Sequence, residues 1–472
     1  MTTILFIFYI LITLASLVTL ILFGTKPSKS FSWLLVIVML PYIGCILYAL
    51  FGINRRKIKF FKLKRIDEMR AYNVFRGNGN HHPVVFSSGK SAKISALIEG
   101  SIGVLPKGGN RVAILNNGVR TFTSIFEALE KAEKFIHIQF YIFEDGELME
   151  KLFELFRKKM EEGVEIRVIY DAIGSFSLPK KHIRRFRAIG VKIFSTMPIR
   201  FGSILFTINY RNHRKIVVVD GNVGFTGGVN VSDKYIRPSN YLGIWDDMHL
   251  RLEGPAVKSL HRVFVKDYFF ASGGEDLWKP EYFPENTETG DTVVQIVSGG
   301  PDSDFSSVMY QYASMINQAE RSICIANPYF IPNATILESL KMAALGGVRV
   351  KLLVPKKSDT SVVKYSMHSY FEELLSAGIV IYEHPVKFLH SKIIVIDDEM
   401  VSVGSGNFDN RSFDQNFEVN ALVFDERVAR DIREGFDRDC SGADQLDLDT
   451  FKKRSFLNKI LEGIARIFSP LL

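Results

Sequence analysis

The chain carries the same pattern of polar residues twice, and this repetition restricts its possible folds more than any other feature of the sequence. Each copy is a histidine, a lysine two positions later and an aspartate five positions after that. The two motifs are His213, Lys215, Asp220 and His390, Lys392, Asp397. Both enter an apolar, β-branched run, and an asparagine follows ten residues after each aspartate, at Asn230 and Asn407. Two motifs in register make coincidence negligible and predict one site built twice.

A chain of 472 residues with 47% hydrophobic content exceeds the usual size of a single core, so two packed units are expected. Helix-period and strand-like runs alternate in the same order in both parts of the chain, which predicts an α/β fold with a mainly parallel sheet. We expect two similar α/β halves, over residues 109–285 and 286–446. The predicted helices are 122–132, 148–160 and 336–344, and the predicted strands are 136–142, 164–171, 323–326 and 348–355.

The motif residues suit chemistry on a phosphodiester. Residues two positions apart share one face of a strand, so the histidine and lysine of each motif can point into one cleft. Imidazoles, ammonium groups and amides together match the two non-bridging oxygens of such a group. One imidazole can attack phosphorus while the other, protonated, donates to the leaving alkoxide. We predict His213, Lys215, His390 and Lys392 for the chemistry, and Asn230 and Asn407 for phosphate binding.

Each histidine also needs an acceptor for its second ring nitrogen, because that bond fixes the tautomer and stabilises the imidazolium. Asp247 stands 34 residues after His213, and Glu418 stands 28 residues after His390. We predict these two acids as the orienting carboxylates, each for the histidine of its own half. Asp246 is the alternative to Asp247.

The motif aspartates have the opposite strand parity. Although Asp220 and Asp397 belong to the catalytic motifs, we expect their side chains to face away from the substrate and to brace the backbone. A metal site is the competing interpretation, but an ammonium group two residues from each histidine would repel a divalent cation. The three cysteines are far apart, without metal-ligand or disulfide spacing. We therefore predict no metal and no cofactor.

The net charge of +8 is confined to two clusters. Seven basic residues and no acid lie between Asn54 and Arg65, and a net charge of four lies in residues 452–466. The rest of the chain is slightly acidic. Binding to a nucleic-acid backbone needs Lys and Arg along the groove, so the charge pattern argues against nucleic acid as a partner.

Two charge-free, predominantly apolar runs lie near the start of the chain. Residues 4–23 and 31–53 are each long enough to cross about 30 Å of hydrocarbon. We predict a two-helix transmembrane hairpin in 1–53, then a basic juxtamembrane segment and connector in 54–108. The alternative, a cleaved signal peptide, lacks its basic n-region. The basic residues after the second run predict a multi-pass protein of the cell membrane, with its catalytic portion in the cytoplasm.

Residues 447–472 form a last amphipathic segment. Its apolar side chains fall on one helical face, while its basic residues lie largely elsewhere. Two interpretations are equally open: the helix lies on the bilayer, or its apolar face packs against the protein core.

With these residues identified, the chain resembles the phospholipase D superfamily, and within it the two-motif bacterial cardiolipin synthases. The matching features are the hairpin with its basic residues, Asn212-His213-Arg214-Lys215, Trp245-x-Asp247, Glu253-Gly254-Pro255, Asn327-Pro328-Tyr329-Phe330 and the closing Phe468-Ser469-Pro470-Leu471-Leu472. The resemblance implies an active site at the interface of the halves, no metal, and phosphatidyl transfer between two phosphatidylglycerol molecules through a phosphatidyl-histidine, giving cardiolipin and glycerol. It also implies that His213 is the nucleophile and His390 the acid and then the base.

The motifs themselves specify only phosphodiester exchange. A phospholipase D-type hydrolase, or a phosphatidyltransferase with another alcohol acceptor, remains open. A membrane-tethered nuclease is opposed by the non-basic body of the chain. A scaffold with a degenerate site is opposed because neither motif has lost a residue.

Overall fold

The computed structural model describes residues 2–23, 27–40, 42–53, 84–198, 209–238, 242–285 and 287–471. The chain begins with helices α1 (Thr2–Phe23), α2 (Pro27–Met39) and α3 (Ile43–Leu47), followed by a π-helical turn at Tyr48–Gly52. Their contact is a small apolar cluster around Leu20 and Ile37. In the ranges described, no helix combines the length and apolarity that a membrane span requires. The predicted basic cluster between residues 54 and 65 lies outside the described residues.

The end of the predicted connector is an ordered helix, α4 (Gly89–Ile102). Ser88 caps its N-terminus, because the side chain accepts the backbone N–H of Ser91. Ile94 and Ile98 are fully buried in the apolar core of the second half of the chain. Helix α4 therefore packs on the second half, although it precedes the first half in sequence.

The strands of the described residues are β1 (Lys107–Leu115), β2 (Phe135–Phe140), β3 (Glu165–Asp171), β4 (Lys192–Thr196), β5 (Ile216–Val219), β6 (Val223–Gly227), β7 (Trp245–Asp246), β8 (His249–Glu253), β9 (Thr292–Gly299), β10 (Ser322–Ala326), β11 (Arg349–Pro355), β12 (Val380–His384), β13 (Phe388–Leu389), β14 (Ile393–Ile396), β15 (Met400–Gly404), β16 (Glu418–Phe424) and β17 (Asp444–Gln445). Fifteen of them form one continuous sheet, in the order β17-β12-β11-β10-β14-β15-β16-β9-β1-β8-β6-β5-β2-β3-β4. The two short strands β7 and β13 pair separately.

The sheet repeats itself about its centre. Strands β1, β8, β6, β5, β2, β3 and β4 run outward on one side, and β9, β16, β15, β14, β10, β11 and β12 run outward on the other in the corresponding order. The halves join where β1 pairs antiparallel with β9, around Asn110 and Thr292. The predicted duplication into two similar α/β halves is therefore present.

The prediction of a mainly parallel sheet is wrong. Within the sheet as described, parallel pairing is confined to β2-β3-β4 in the first half and β10-β11-β12 in the second. Helices connect these strands, as parallel neighbours require. The motif strands are instead joined by tight turns, such as Val219–Val223 between β5 and β6, which produces antiparallel pairs.

Helices cover both faces of the sheet. Two of them, α8 (Ala256–Ser272) and α13 (Glu426–Ser441), share a central core with both halves. The others are α5 (Gly118–Glu130), α6 (Glu147–Glu161), α7 (Lys180–Ala188), α9 (Ser307–Gln318), α10 (Ala334–Leu345), α11 (Ser361–Ser376), α12 (Asn410–Asp414), α14 (Leu448–Lys452) and α15 (Phe456–Phe468). Within β5, Ile216 and Val218 join the central core, whereas Val217 and Val219 join the core of the first half. Burial on both faces explains the unbroken β-branched runs after the motifs.

Candidate active site

Each motif histidine lies on a short segment just before its strand, and that segment is held by the other half of the chain. The backbone N–H of His213 donates to the Phe417 carbonyl at 3.0 Å, and Phe417 N–H donates to the Arg211 carbonyl at 2.9 Å. In the second half, His390 N–H donates to the Asp246 carbonyl at 2.7 Å, beside the β7–β13 pair. The two motif loops therefore cross the interface between the halves.

This crossing decides which carboxylate meets which histidine. His213 Nδ1 lies 3.0 Å and 3.1 Å from the two Glu418 oxygens, and His390 Nδ1 lies 2.6 Å from Asp247 Oδ2. The residues predicted as orienting carboxylates are present, but pairing within each half is wrong. Asp246, the alternative to Asp247, forms an ion pair with Lys387 instead.

The two carboxylates are held differently. Glu418 accepts hydroxyl hydrogen bonds from Ser405 at 2.5 Å and Ser412 at 3.0 Å. Asp247 accepts the backbone N–H of Met248 at 2.8 Å. Gly228 occupies the position that corresponds to Ser405 in the motif repeat, and a Cβ there would collide with the Asp247 carboxylate. A glycine in one half and a serine in the other thus make the two copies unequal.

The pKa shifts of Glu418 and Asp247 reflect this difference in their surroundings. Burial opposes ionisation of both acids, but His213, Lys215 and the Ser405 hydroxyl keep the pKa of Glu418 below its usual value. Burial prevails at Asp247, whose pKa is raised although Lys392 lowers it. Glu418 is therefore the more firmly anionic of the two.

The motif lysines are fully buried beside the histidines. Lys215 Nζ donates to the His213 carbonyl at 2.7 Å, and Lys392 Nζ lies 2.7 Å from His390 Nδ1. The Tyr141 ring meets both the His213 ring, at 4.9 Å between centroids, and Lys215 Nζ, at 5.6 Å from its centroid. The histidine and lysine of the first motif thus share one face, as their spacing predicts.

The cationic groups are crowded and poorly solvated. Burial lowers the pKa of Lys392 to about 8, although Asp247 and Glu418 oppose it. Burial and repulsion from Lys392 hold the pKa of Lys215 well below its ordinary value. Burial also lowers the pKa of His213, and burial with repulsion from both lysines lowers that of His390 further. The pKa values of both histidines and both lysines are thus lowered, and a bound anion would raise them.

The motif aspartates bond to backbone, as their parity predicts. Asp220 accepts the N–H groups of residues 133–135 at 2.7–2.8 Å. Asp397 accepts those of residues 320–322 at 2.7–2.9 Å, together with Lys90 Nζ at 2.6 Å. Both aspartates have a positive φ, 51° and 55°, in tight turns that Asp tolerates better than most residues. They tie the end of each motif strand to its neighbour.

The asparagines lie inside the same loops. Asn230 Oδ1 accepts Ile142 N–H at 3.2 Å, and its Nδ2 donates to the Tyr235 hydroxyl at 3.2 Å. Asn407 is buried, and its Oδ1 is without a hydrogen-bond partner among the described residues. Asn230 therefore has a structural role in its loop. Phosphate binding by Asn230 and Asn407 stays a prediction.

Three tyrosines join the site. The Tyr235 hydroxyl lies 3.2 Å from His390 Nδ1, and Tyr329 presents its ring edge to His390. The sequence singled out no role for Tyr141, yet Tyr141 and Tyr329 both follow a central parallel strand, β2 and β10. That shared position was the available signal.

Comparison with known proteins agrees with this arrangement. A family model described as "Cardiolipin synthase, PLD-like domain" matches residues 125–264 and 312–440, and one described as "Phospholipase_D-nuclease N-terminal" matches residues 6–52. Cardiolipin synthase 2 of Bacillus cereus is 40% identical over 449 residues, which cover 94% of this chain and 87% of the relative. Cardiolipin synthase of Halalkalibacterium halodurans is 37% identical over 472 residues, covering 98% of this chain and 94% of the relative.

Among solved structures, phosphatidylserine synthase of Haemophilus influenzae aligns with a TM-score of 0.61 at 14% identity, covering 81% of this chain and all of that one. At this identity the likeness concerns the fold alone. The family match extends over both halves and includes both motifs. The chain therefore belongs to the cardiolipin synthases, the phosphatidyltransferases of the phospholipase D superfamily.

Proposed function

We propose that this protein transfers a phosphatidyl group between two phosphatidylglycerol molecules, giving cardiolipin and glycerol. One observation carries the proposal: two imidazoles from different halves each bond through Nδ1 to a buried carboxylate of the opposite half. That bond leaves Nε2 of each ring for chemistry on one phosphodiester.

The reaction has two balanced steps. In the first, Nε2 of His213 attacks the donor phosphorus, the bond from phosphorus to the glycerol headgroup breaks, and His390 gives its proton to the departing glycerol. In the second, a hydroxyl of the acceptor phosphatidylglycerol attacks the phosphatidyl-histidine. His390 takes the hydroxyl proton, the phosphorus–nitrogen bond breaks, and cardiolipin leaves.

The unequal carboxylates support this division of labour. A phosphorylated imidazole that keeps its Nδ1 hydrogen is cationic, so an anion beside it stabilises the intermediate. Glu418, held by the Ser405 and Ser412 hydroxyls, is that anion for His213. His390 bonds to Asp247, the less firmly anionic carboxylate, and lies next to the Tyr235 hydroxyl. In each step His390 must give up or take a proton.

Lys215 and Lys392 bind the non-bridging oxygens in this proposal, and Asn230 and Asn407 add amide donors. Asp220 and Asp397 act indirectly, because they fix the ends of β5 and β14. The bound phosphodiester supplies the negative charge that raises the pKa of His390 enough for it to act as an acid.

We also propose that residues 1–53 anchor the protein in the cell membrane as a two-helix hairpin, with the catalytic halves on the cytoplasmic side. Exposed apolar side chains on α1, including Ile4, Leu11 and Ile21, support this role. The match of residues 6–52 to an N-terminal module of this superfamily supports it as well. The basic residues that follow favour the cytoplasmic orientation.

Mass spectrometry of the lipids formed from phosphatidylglycerol vesicles tests the reaction. Wild type should form cardiolipin and release an equal amount of glycerol. Phosphatidic acid as the main product would instead indicate a hydrolase, and a new lipid only after addition of another alcohol would indicate a different acceptor. His390→Ala should form no cardiolipin, and peptide mapping should find any trapped phosphatidyl adduct on His213.

A further inference from the structure

The last helix, α15 (Phe456–Phe468), is attached to the protein by its polar side. Glu462 and Ala465 are 3% and 5% exposed. Arg466 donates to Glu373 of α11 at 2.6 Å and to the Ser369 carbonyl at 3.0 Å. Arg454, just before the helix, bonds to Glu462 at 2.8 Å and to Glu372 at 2.6 Å. Ion pairs thus hold the helix against α11.

The apolar side of the same helix faces outward. Phe456 is 79% exposed, Ile467 75% and Leu457 64%, and Ile460, Ile464 and Phe468 are also exposed. A helix that stabilises a soluble core normally buries such a stripe. Among the described residues, the apolar face is not packed against the protein core, so that one of the two interpretations left open by the sequence is wrong.

The C-terminal end of α15 contacts an element that also bears on the active site. At the end of α15, the Ser469 carbonyl accepts Asn410 Nδ2 at 3.1 Å, and its hydroxyl lies 2.9 Å from the Ser366 hydroxyl. Asn410 opens α12, the helix that carries Ser412, which bonds to Glu418. A chain of hydrogen bonds therefore connects α15 to Glu418, the carboxylate that bonds to His213.

Positive charge flanks the apolar stripe. Lys452, Lys453 and Lys459 are exposed at and before the start of the helix. Apolar side chains with lysines along their border match the boundary between headgroups and acyl chains of an anionic bilayer. An apolar patch of this kind marks an interaction site, and its basic border favours an anionic lipid surface.

We propose that α15 lies flat on an anionic phospholipid bilayer, with its apolar face among the acyl chains. This surface is additional to the N-terminal hairpin and does not depend on the reaction proposed above. It contributes by fixing the orientation of the catalytic halves, since a hairpin alone tethers them without orienting them.

Quenching by lipid measures the contact directly. The full-length protein is reconstituted in vesicles of phosphatidylglycerol and phosphatidylcholine, and an environment-sensitive dye is attached to Ile464→Cys; the native cysteines are buried. Lipids with a quencher on the acyl chain should quench this dye strongly. The matched control is Asn458→Cys, on the same helix but outside the apolar stripe, where quenching should be several-fold weaker. Equal quenching at both positions, or full access of aqueous iodide to position 464, would overturn the proposal.

Activity supplies a second readout that separates this surface from the catalytic site. Ile464→Glu should lower the rate on phosphatidylglycerol vesicles by about tenfold and leave the rate on a short-chain, soluble phosphatidylglycerol unchanged. Asn458→Glu, which adds the same charge outside the stripe, should leave both rates unchanged. Loss of both rates in Ile464→Glu would contradict a membrane role. If wild type lacked activity on either substrate, the proposed reaction would fail while the quenching result would still decide the membrane contact.

Discussion

Glu418 and His213 belong to different halves of the chain, yet the Glu418 carboxylate accepts the Nδ1 hydrogen of His213 at 3.0 Å. Asp247 and His390 make the reciprocal contact at 2.6 Å. Neither motif histidine is therefore paired with a carboxylate of its own half, and the two halves must be docked for either imidazole to be oriented.

The crossed pairing predicts which variants an activated substrate can rescue. A donor lipid with a nitrophenolate leaving group needs no acid in the first step, so Asp247→Asn and His390→Ala should release a burst of about one equivalent of nitrophenolate, while the second step still lacks its base. The activated donor should not rescue Glu418→Gln or His213→Ala, whose defect is in the nucleophile. With the natural donor each variant should lose about 10²-fold or more in kcat, the range for general acid–base groups. Release of nitrophenolate measures the outcome. If the activated donor rescued Glu418→Gln as well as His390→Ala, Glu418 would not act on the nucleophile and the proposed roles would be wrong.

The Ser412 hydroxyl, which donates a hydrogen bond to Glu418, should contribute measurably to kcat. Ser412→Ala removes a hydrogen bond to a buried anion, which contributes about 1.5–3 kcal/mol, and so should lower kcat by about tenfold to a hundredfold. The pKa of Glu418 should rise with the loss of this donor. Ser412→Thr keeps the hydroxyl and is the matched control. Steady-state kinetics on phosphatidylglycerol decide the point, and equal loss in both variants would indicate a packing effect instead.

Local periodicity predicted one part of the site and could not predict another. The two-residue repeat of a strand predicted that Asp220 and Asp397 face away from the substrate, although both lie in the turns that follow β5 and β14. The partner of each histidine depends on where the loop before β14 docks beside β7, and no sequence period reports that contact.

As with the site, only the local features of the fold could be predicted from the sequence. The duplication and the helices and strands could be read from the sequence, because apolar periodicity records local structure. Strand direction could not, since it depends on whether a helix or a tight turn connects each pair. Tyr141 was missed for a related reason: a tyrosine after an apolar strand looks like core until the other half supplies His213 beside it.

The motif aspartates should matter to stability more than to chemistry. Asp397→Ala removes the acceptor of three backbone N–H groups and leaves Lys90 buried without this partner, so unfolding free energy should fall by about 2–4 kcal/mol. Asp220→Ala has no equivalent lysine and should cost less, about 1–3 kcal/mol. Thermal unfolding in detergent compares the two, with kcat measured on the folded fraction. An unchanged melting temperature with lost kcat in Asp397→Ala would favour direct catalysis by the carboxylate.

Phosphodiester binding should take up protons and weaken as pH rises. Burial lowers the pKa of His213, His390 and both motif lysines, and a bound anion raises each of them again. A group whose pKa is raised by the ligand favours binding below the raised value and stops doing so above it. The loss should begin near pH 8, the pKa of Lys392 before the anion binds, and continue up to its raised pKa in the complex. The inhibition constant of a soluble glycerophosphodiester, whose own charge is constant from about pH 6 to about pH 9, measures this pH dependence of binding.

Lys392→Arg keeps its charge throughout and should flatten the profile near pH 8. Binding that strengthens with rising pH would show that a deprotonated group, not these cations, receives the phosphate.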